Sequence, residues 1–389
     1  MSIAISTSVT TASLVEPIAS LPVSVSPQVS PAEWDAFLES HPDATVEHLW
    51  AWREIFERVF EQRTRYLAAR RGDQIVGVLP LVLFKSAIFG RSVVSLPYAN
   101  YAGLIASDAD AVSALVRAAE EEARVFGAAY VELRQIQSQT ATLPRRTHKI
   151  GSRLPLPASA EALWTQLDRK VRNQVRKAEK EGLQVTVGSL ELVDEFYDVF
   201  TVNMRDLGTP VFPQALFREV VKSLPEAARV FVVRLGAKPI AAAIALSWRG
   251  TTLVPWASSL REYRSLCANM LLYWSMLQWA ITAGAHAFDF GRSTVGGGTH
   301  HFKRQWGATD YPLHWEYVLL GVNEPPDHGT SSPRVERFIE LWKKLPLWLA
   351  DALGPVVVRH VSGTAGAPTV VAWWWTGVDV VVGPRFLPP

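Results

Sequence analysis

The chain of 389 residues is 48% apolar and 20% charged, with 39 Lys+Arg against 37 Asp+Glu. That composition folds, because disordered chains are far poorer in apolar residues, and a formal charge of +2 excludes a globally basic nucleic-acid coat. The single cysteine, Cys267, excludes an intrachain disulfide and any Cys-x-x-Cys metal or redox site.

No apolar run reaches the roughly 18 residues of a spanning helix. The N-terminus also lacks the basic and apolar regions of a signal peptide, so a soluble, cytoplasmic protein is expected. At roughly 100–200 residues per domain, the length predicts two domains.

Residues 1–28, rich in Ser, Thr, Val and Pro, read as a disordered leader, with a short edge strand near 17–25 as the alternative. A first domain over 29–150 opens on a hairpin at 66–81, whose two apolar runs are separated by Gly72-Asp73. A strand at 93–96, a helix over 109–126, a Gly127 C-cap and a strand at 130–134 carrying Glu132 follow. Pro144, Gly151, Pro155, Pro157 and several basic residues mark a boundary at 143–160.

The second domain, 151–320, repeats the order: a hairpin at 230–245, a strand at 252–256, a helix over 268–283, Gly284, and a strand at 287–291 carrying Asp289. Two halves with the same elements and the same punctuation predict tandem α/β domains, each a mixed sheet with flanking helices. A segment over 321–361 is expected to pack back on the first domain. The tail, 362–389, with Trp373-Trp374-Trp375, has no amphipathic pattern and reads as a loosely packed extension or a membrane-touching anchor.

Four motifs bear on chemistry. On the helix over 167–182, Leu167, Val171, Val175 and Ala178 share one face, while Arg169, Arg172, Arg176 and Lys180 line the other with Asn173 and Lys177 beside them. This is either an anion grip, for which Arg is suited, or a solvated basic face. The run Asp289-Phe290-Gly291-Arg292 resembles a kinase metal triplet, but no Gly-rich or His-Arg-Asp loop accompanies it.

Beyond it, Gly296-Gly297-Gly298 is either a phosphate cradle or a plain loop, and Lys303 is placed to reach a cleft. His300-His301 has no third ligand at metal spacing, so no metal site is expected. Leu96-Pro97-Tyr98-Ala99-Asn100-Tyr101 is either a ligand-binding loop or a packed aromatic turn. After the 252–256 strand, Arg264, Cys267 and Asn269 stand where an acetyl-CoA enzyme carries a glycine-rich pyrophosphate loop. The position fits and the glycines are missing.

The doubled halves, the Arg172-Asn173-x-x-Arg176-Lys177-Ala178 helix and the Phe302-Lys303-x-x-Trp306-Gly307 stretch together resemble the FemA/FemB/FemX-like family. The nearest branch is the FemAB-related proteins of exosortase and exopolysaccharide systems. The resemblance spans roughly residues 29–361. It implies two tandem acyl-CoA N-acyltransferase-like (GNAT-like) domains and aminoacyl transfer from aminoacyl-tRNA to an amine of a cell-wall precursor. It also implies Lys303 at the reaction site beside Phe302. The coiled-coil arm that some members carry is absent, so the resemblance brings no tRNA contact through such an arm.

The expectation is an N-acyltransferase acting on an envelope peptide or polysaccharide precursor. Its donor would be acyl-CoA or aminoacyl-tRNA, with no tightly bound cofactor. The candidate catalytic residues are Lys303, Asp289 and Glu132; the candidate substrate-binding residues are Arg172, Asn173, Arg176, Lys177, Tyr98, Asn100, Tyr101, Arg292 and Phe302. An acetyl-CoA-dependent acetyltransferase, a non-catalytic scaffold and a nucleic-acid binder remain as alternatives.

Overall fold

The computed structural model describes residues 21–86, 90–147, 149–326 and 333–359. The first half runs β1 (Val23–Ser26), α1 (Pro31–Ser40), α2 (Ala51–Phe60), β2 (Arg63–Arg71), β3 (Gln74–Ser86), β4 (Gly90–Val94), β5 (Ile105–Ala106), α3 (Ala109–Phe126), β6 (Tyr130–Gln135) and β7 (Arg145–Arg146). The second begins with β8 (Lys149–Pro155), α4 (Ala160–Gln166), α5 (Arg169–Lys180), β9 (Gln184–Gly188), α6 (Val193–Leu207), α7 (Gln214–Ser223), β10 (Ala228–Leu235) and β11 (Lys238–Trp248). It continues through β12 (Thr251–Ser259), α8 (Ala268–Thr282), β13 (Ala287–Thr294), α9 (Gly298–Gln305) and β14 (Thr309–Pro312). The chain then passes through β15 (His314–Leu319), α10 (Pro333–Lys343) and α11 (Leu347–Arg359).

Two mixed sheets result. The first is ordered β1-β2-β3-β4-β6-β15-β7, with β5 on β3, and the second β14-β8-β13-β12-β11-β10-β9. Each has one parallel step at the matching place, β4 beside β6 and β12 beside β13. Glu132 pairs in register with Val94, and Asp289 with Leu253. The two acids therefore hold equivalent places in the two halves.

The preceding helices form for the reasons the sequence suggests. Asp108 caps the Ala111 amide at the start of α3, and Gly127, at φ +71°, ends it in the left-handed conformation that glycine takes most easily. Helix α8 is apolar over most of its surface because most of it is covered: it lies on the second sheet under α5, whose Val171, Val175 and Ala178 are buried, and only Gln278 and Thr282 are exposed. On the opposite face, α7 packs on α2 of the first half, and one core runs from Trp34 and Phe56 through Phe196, Phe212 and Phe217 to Trp256.

Several expectations change. Residues 23–26 of the leader form the edge strand β1, paired with β2. Within 143–160 the chain crosses from one sheet to the other while still in strand: β7 joins the first sheet, and β8 lies between β13 and β14 in the second. The return to the first half comes before residue 321, because β15 pairs with β6 there. Helices α10 and α11 then lie on α6 while Arg359 reaches Glu61, so they touch both halves. The expectations for residues 1–20 and for the Trp-rich tail lie outside the described residues. Among the described residues no helix is long and apolar enough to cross a membrane.

Candidate functional site

Asp289 sits where β12 and β13 part. Their parallel register covers Thr251 to Leu253 against Ala287 to Asp289, after which β12 stays with β11 and β13 with β8. Immediately beyond Asp289 the β13 register against β8 slips, and Gly291 takes φ +71°. This bulge re-aims the side chain. The Asp289 carboxylate closes it by accepting the Gly291 amide at 2.7 Å.

The same carboxylate accepts the Tyr101 hydroxyl at 2.8 Å on Oδ1 and the Tyr311 hydroxyl at 2.8 Å on Oδ2. Arg153, directly opposite in the β8 register, donates from Nη2 at 3.1 Å. Burial and then the charge of Asp289 hold both phenols well above their usual range, so both remain proton donors.

A cavity of about 380 Å³ opens between the halves over this cluster, lined by His48, Tyr101, Arg134, Gln135, Arg153 and Asp289 among others. Asp289 is nearly covered, whereas the Arg153 side chain is 40% exposed. Arg153 is thus the cation of the cluster that meets solvent.

Tyr101 is held in place by a buried turn. In Val46–His48, a 3-10 turn capped by Thr45, the Glu47 carboxylate accepts the Asn100 and Tyr101 amides at 2.8–3.0 Å and the Asn100 side chain at 3.1 Å. Burial pushes Glu47 up to about 7, against the pull of those amides and of Arg292. His48 beside it bonds Thr45 and the Gly103 carbonyl, and burial pulls it down to about 4.

The structure brings together part of the expected set. Asp289 and Tyr101 share the cavity, and Asn100 braces the Tyr101 loop. Arg292 lies one layer behind, its guanidinium donating to the Ala99 carbonyl at 3.3 Å and standing over the Trp315 ring. Glu132 is fully buried in an ion pair with Arg134 at 2.8 Å, and of the two only Arg134 lines the cavity.

Lys303 does not line it. The Lys303 ammonium is buried and donates to the Gly291 and Arg292 carbonyls, both at 2.9 Å, so it pins the β13 bulge from behind. Burial pulls it down to about 7. Phe302 is a core residue, edge-on to Tyr273. Tyr98, at φ +70°, turns away from the cavity to stack on Phe56 and donate to the Val358 carbonyl.

The glycine run does not form an open cradle. The Gly296 amide is taken by His300 and that of Gly297 by the Thr294 carbonyl. Arg172, Asn173, Arg176 and Lys177 lie on α5, and none of them lines the cavity. Lys177 faces Cys267, the left-handed residue that opens α8, and Arg176 stands over Trp164. Among the described residues no cluster of His, Cys, Asp or Glu has the makings of a metal site.

Sequence reasoning missed Arg153, Tyr311, Glu47 and His48. Arg153 was hidden in a stretch that reads as a boundary, although the alternation of 149–155 is that of a strand. Tyr311 follows the Phe302-Lys303 stretch closely, and no sequence signal joins it to Asp289.

Residues 166–304, about a third of the chain, match the acetyltransferase (GNAT) domain family. No curated protein matches the sequence. Among solved structures the fold is similar to that of FemX, with a TM-score of 0.61 at 16% identity over 77% of this chain and 98% of that one. It is also similar to L-PGS from Bacillus licheniformis, with a TM-score of 0.51 at 14% identity over 82% of this chain and 98% of that one. A conserved protein of unknown function from Bacteroides thetaiotaomicron gives 0.52 at 10% identity over 77% of this chain and all of that one. At these identities the likeness is one of fold. The acetyltransferase domain matched in its second half makes the chain an acyltransferase.

Proposed function

We propose that the protein is a FemAB-like N-acyltransferase that moves an acyl or aminoacyl group onto an amine of a cell-envelope peptide or polysaccharide precursor, and that the cavity between the halves receives the acceptor. The observation that carries this reading is Asp289, a carboxylate bound by residues of both halves at the wall of that cavity. An acceptor amine arrives as an ammonium and must lose its proton to attack. A carboxylate beside it both attracts the ammonium and takes the proton.

As the C–N bond forms, negative charge grows on the donor's carbonyl oxygen. A fixed cation aimed at that oxygen supplies about 3–4 kcal/mol by analogy with oxyanion holes. Arg153, half-exposed beside Asp289, takes that role. The C–S bond of a thioester or the C–O bond of an aminoacyl ester then breaks, the carbonyl re-forms, and the second proton of the new C–N nitrogen passes to the sulfur or oxygen that leaves, giving a free thiol or hydroxyl.

Donor phosphates fall to Arg172, Asn173, Arg176 and Lys177 on α5, whose Lys177 faces Cys267 at the start of α8, where the helix dipole favours anions. The family match over residues 166–304, which includes this helix, supports that placement. The same match favours a second reading, acetyl transfer from acetyl-CoA.

A thermal-shift panel of CoA thioesters and aminoacyl-tRNA, combined with mass-spectrometric detection of transfer to amine acceptors, separates the two, because a bound donor stabilises the fold by mass action. With the active pair found, Asp289→Asn is expected to lower turnover 10²–10⁴-fold while the donor-induced shift persists. Arg172→Ala with Arg176→Ala is expected to abolish that shift and leave the unliganded melting point unchanged. Wild-type turnover in Asp289→Asn would remove the reading.

A further inference from the structure

On the first sheet, away from the cavity between the halves, the face under α3 changes character along its length. Side chains two apart on a strand share a face. Leu67 and Ala69 of β2, Leu81 and Leu83 of β3 and Val93 of β4 form one apolar core with α3. Continuing along the same strands past the end of α3, the same face carries Arg63 and Arg65, then Lys85, then Arg91. These side chains and Arg359, arriving from α11, line a second hollow of about 630 Å³.

Three of the five cations are fixed by the protein. Arg65 pairs with Glu122 at 3.1 Å, Arg359 pairs with Glu61 at 3.3 Å, and Arg91 donates to the Phe126 carbonyl at 2.9 Å. Arg63 and Lys85 are exposed and have no hydrogen-bond or ion-pair partner among the described residues. Lys85 stands directly opposite Arg91 in the β3–β4 register, and like charges so placed repel. Five cations against two carboxylates leave an excess of three in one hollow, on a chain whose whole formal charge is +2. Exposed Val125, at 78%, stands at its rim.

We propose that this hollow binds a phosphate group, with Arg63 and Lys85 as the cations that receive it and Arg65, Arg91 and Arg359 as the fixed field around them. Arginine presents a planar fork that fits phosphate oxygens, and lysine adds a point charge. The phosphate belongs either to a lipid headgroup, with Val125 against the adjoining apolar chain, or to a soluble phosphate compound. The site is separate from the Asp289 cavity and does not depend on the function proposed for it.

The test uses the full chain with two probes. One is inorganic pyrophosphate, followed by titration calorimetry. The other is co-sedimentation with phosphatidylcholine vesicles with and without a third of phosphatidylglycerol. Arg63→Gln with Lys85→Gln is the variant, because neither side chain is paired within the fold; an unchanged melting point verifies that it folds.

The wild type is expected to bind at least one probe, with affinity falling at least tenfold in the variant and weakening as salt rises. Binding to anionic vesicles alone assigns the headgroup; binding to pyrophosphate alone assigns the soluble compound. Both probes are applied in the Arg172→Ala, Arg176→Ala background as well, where the binding lost in the Arg63→Gln, Lys85→Gln variant is expected to persist, so that α5 does not answer for the hollow. If the double variant fails to fold, Lys85→Gln alone gives the same readout, with a smaller loss. Absence of binding to both probes, or equal binding by wild type and folded variant, overturns the proposal.

Discussion

At Lys303 the ammonium group is surrounded by protein, and its titration follows from that. Its usual value is 10.5 and burial brings it to about 7 in the folded chain. Between those two values the unfolded state holds a proton that the folded state has released, so stability rises with pH across that window. Chemical denaturation of the wild type from pH 7 to pH 10 should show this rise, at up to about 1.4 kcal/mol per pH unit. Lys303→Met should lack it. The same substitution leaves the Gly291 and Arg292 carbonyls without their donor, which loosens the bulge below Asp289. Turnover is therefore expected to fall in Lys303→Met with the donor-induced thermal shift retained, the pattern of a positioning residue. Parallel pH profiles for wild type and Lys303→Met would show that the ammonium does not titrate in this range.

The Val46–His48 turn places two neighbouring residues with opposed titrations under one loop. Glu47, raised to about 7 from 4.5, gives stability that is present at low pH and lost as pH rises through 7. His48, lowered from 6.5 to about 4, does the reverse: stability grows as pH rises from 4 to 6.5. Over the shared window from pH 4.5 to 6.5 the two slopes oppose each other. Glu47→Gln should unmask a stability that climbs with pH, and His48→Asn one that falls, each by up to about 3 kcal/mol. Urea melts at pH 4.5, 5.5 and 6.5 decide this; two parallel profiles would mean the pair does not titrate as buried groups. None of this was legible beforehand, because burial of a Glu-His pair depends on which distant loop covers it. Helix α3 was legible to the residue, since its end is set by a local signal, Gly127. Asp289 was legible for the same reason, as the acid of a strand that follows a helix and its glycine. Tyr98 and Tyr101 show the limit: they are three residues apart, and a positive φ at Tyr98 sends one ring into the Phe56–Phe212 core while the other reaches Asp289. Nothing in a tyrosine announces that conformation.

In the whole molecule, the two sheets are joined twice by very short links: residues 147–148 lead from β7 in the first to β8 in the second, and Leu313 alone leads from β14 in the second back to β15 in the first. The apolar core between them is also common to both. A chain cut at residue 148 therefore yields a first fragment lacking β15, the neighbour of both β6 and β7, with the apolar faces of α1 and α2 uncovered. That fragment is expected to be unfolded by near-ultraviolet circular dichroism, while the intact chain unfolds in one cooperative step. A native-like spectrum for residues 1–147 alone would show that the first half stands by itself. The shared core also has a consequence in time. Two bodies joined only by short strands open and shut as a hinge, over microseconds to milliseconds. Here opening would part an apolar core that both halves fill, from Trp34 and Phe56 to Phe217 and Trp256. The mouth of the Asp289 cavity is therefore set when that core packs, and a ligand must pass between the side chains that line it.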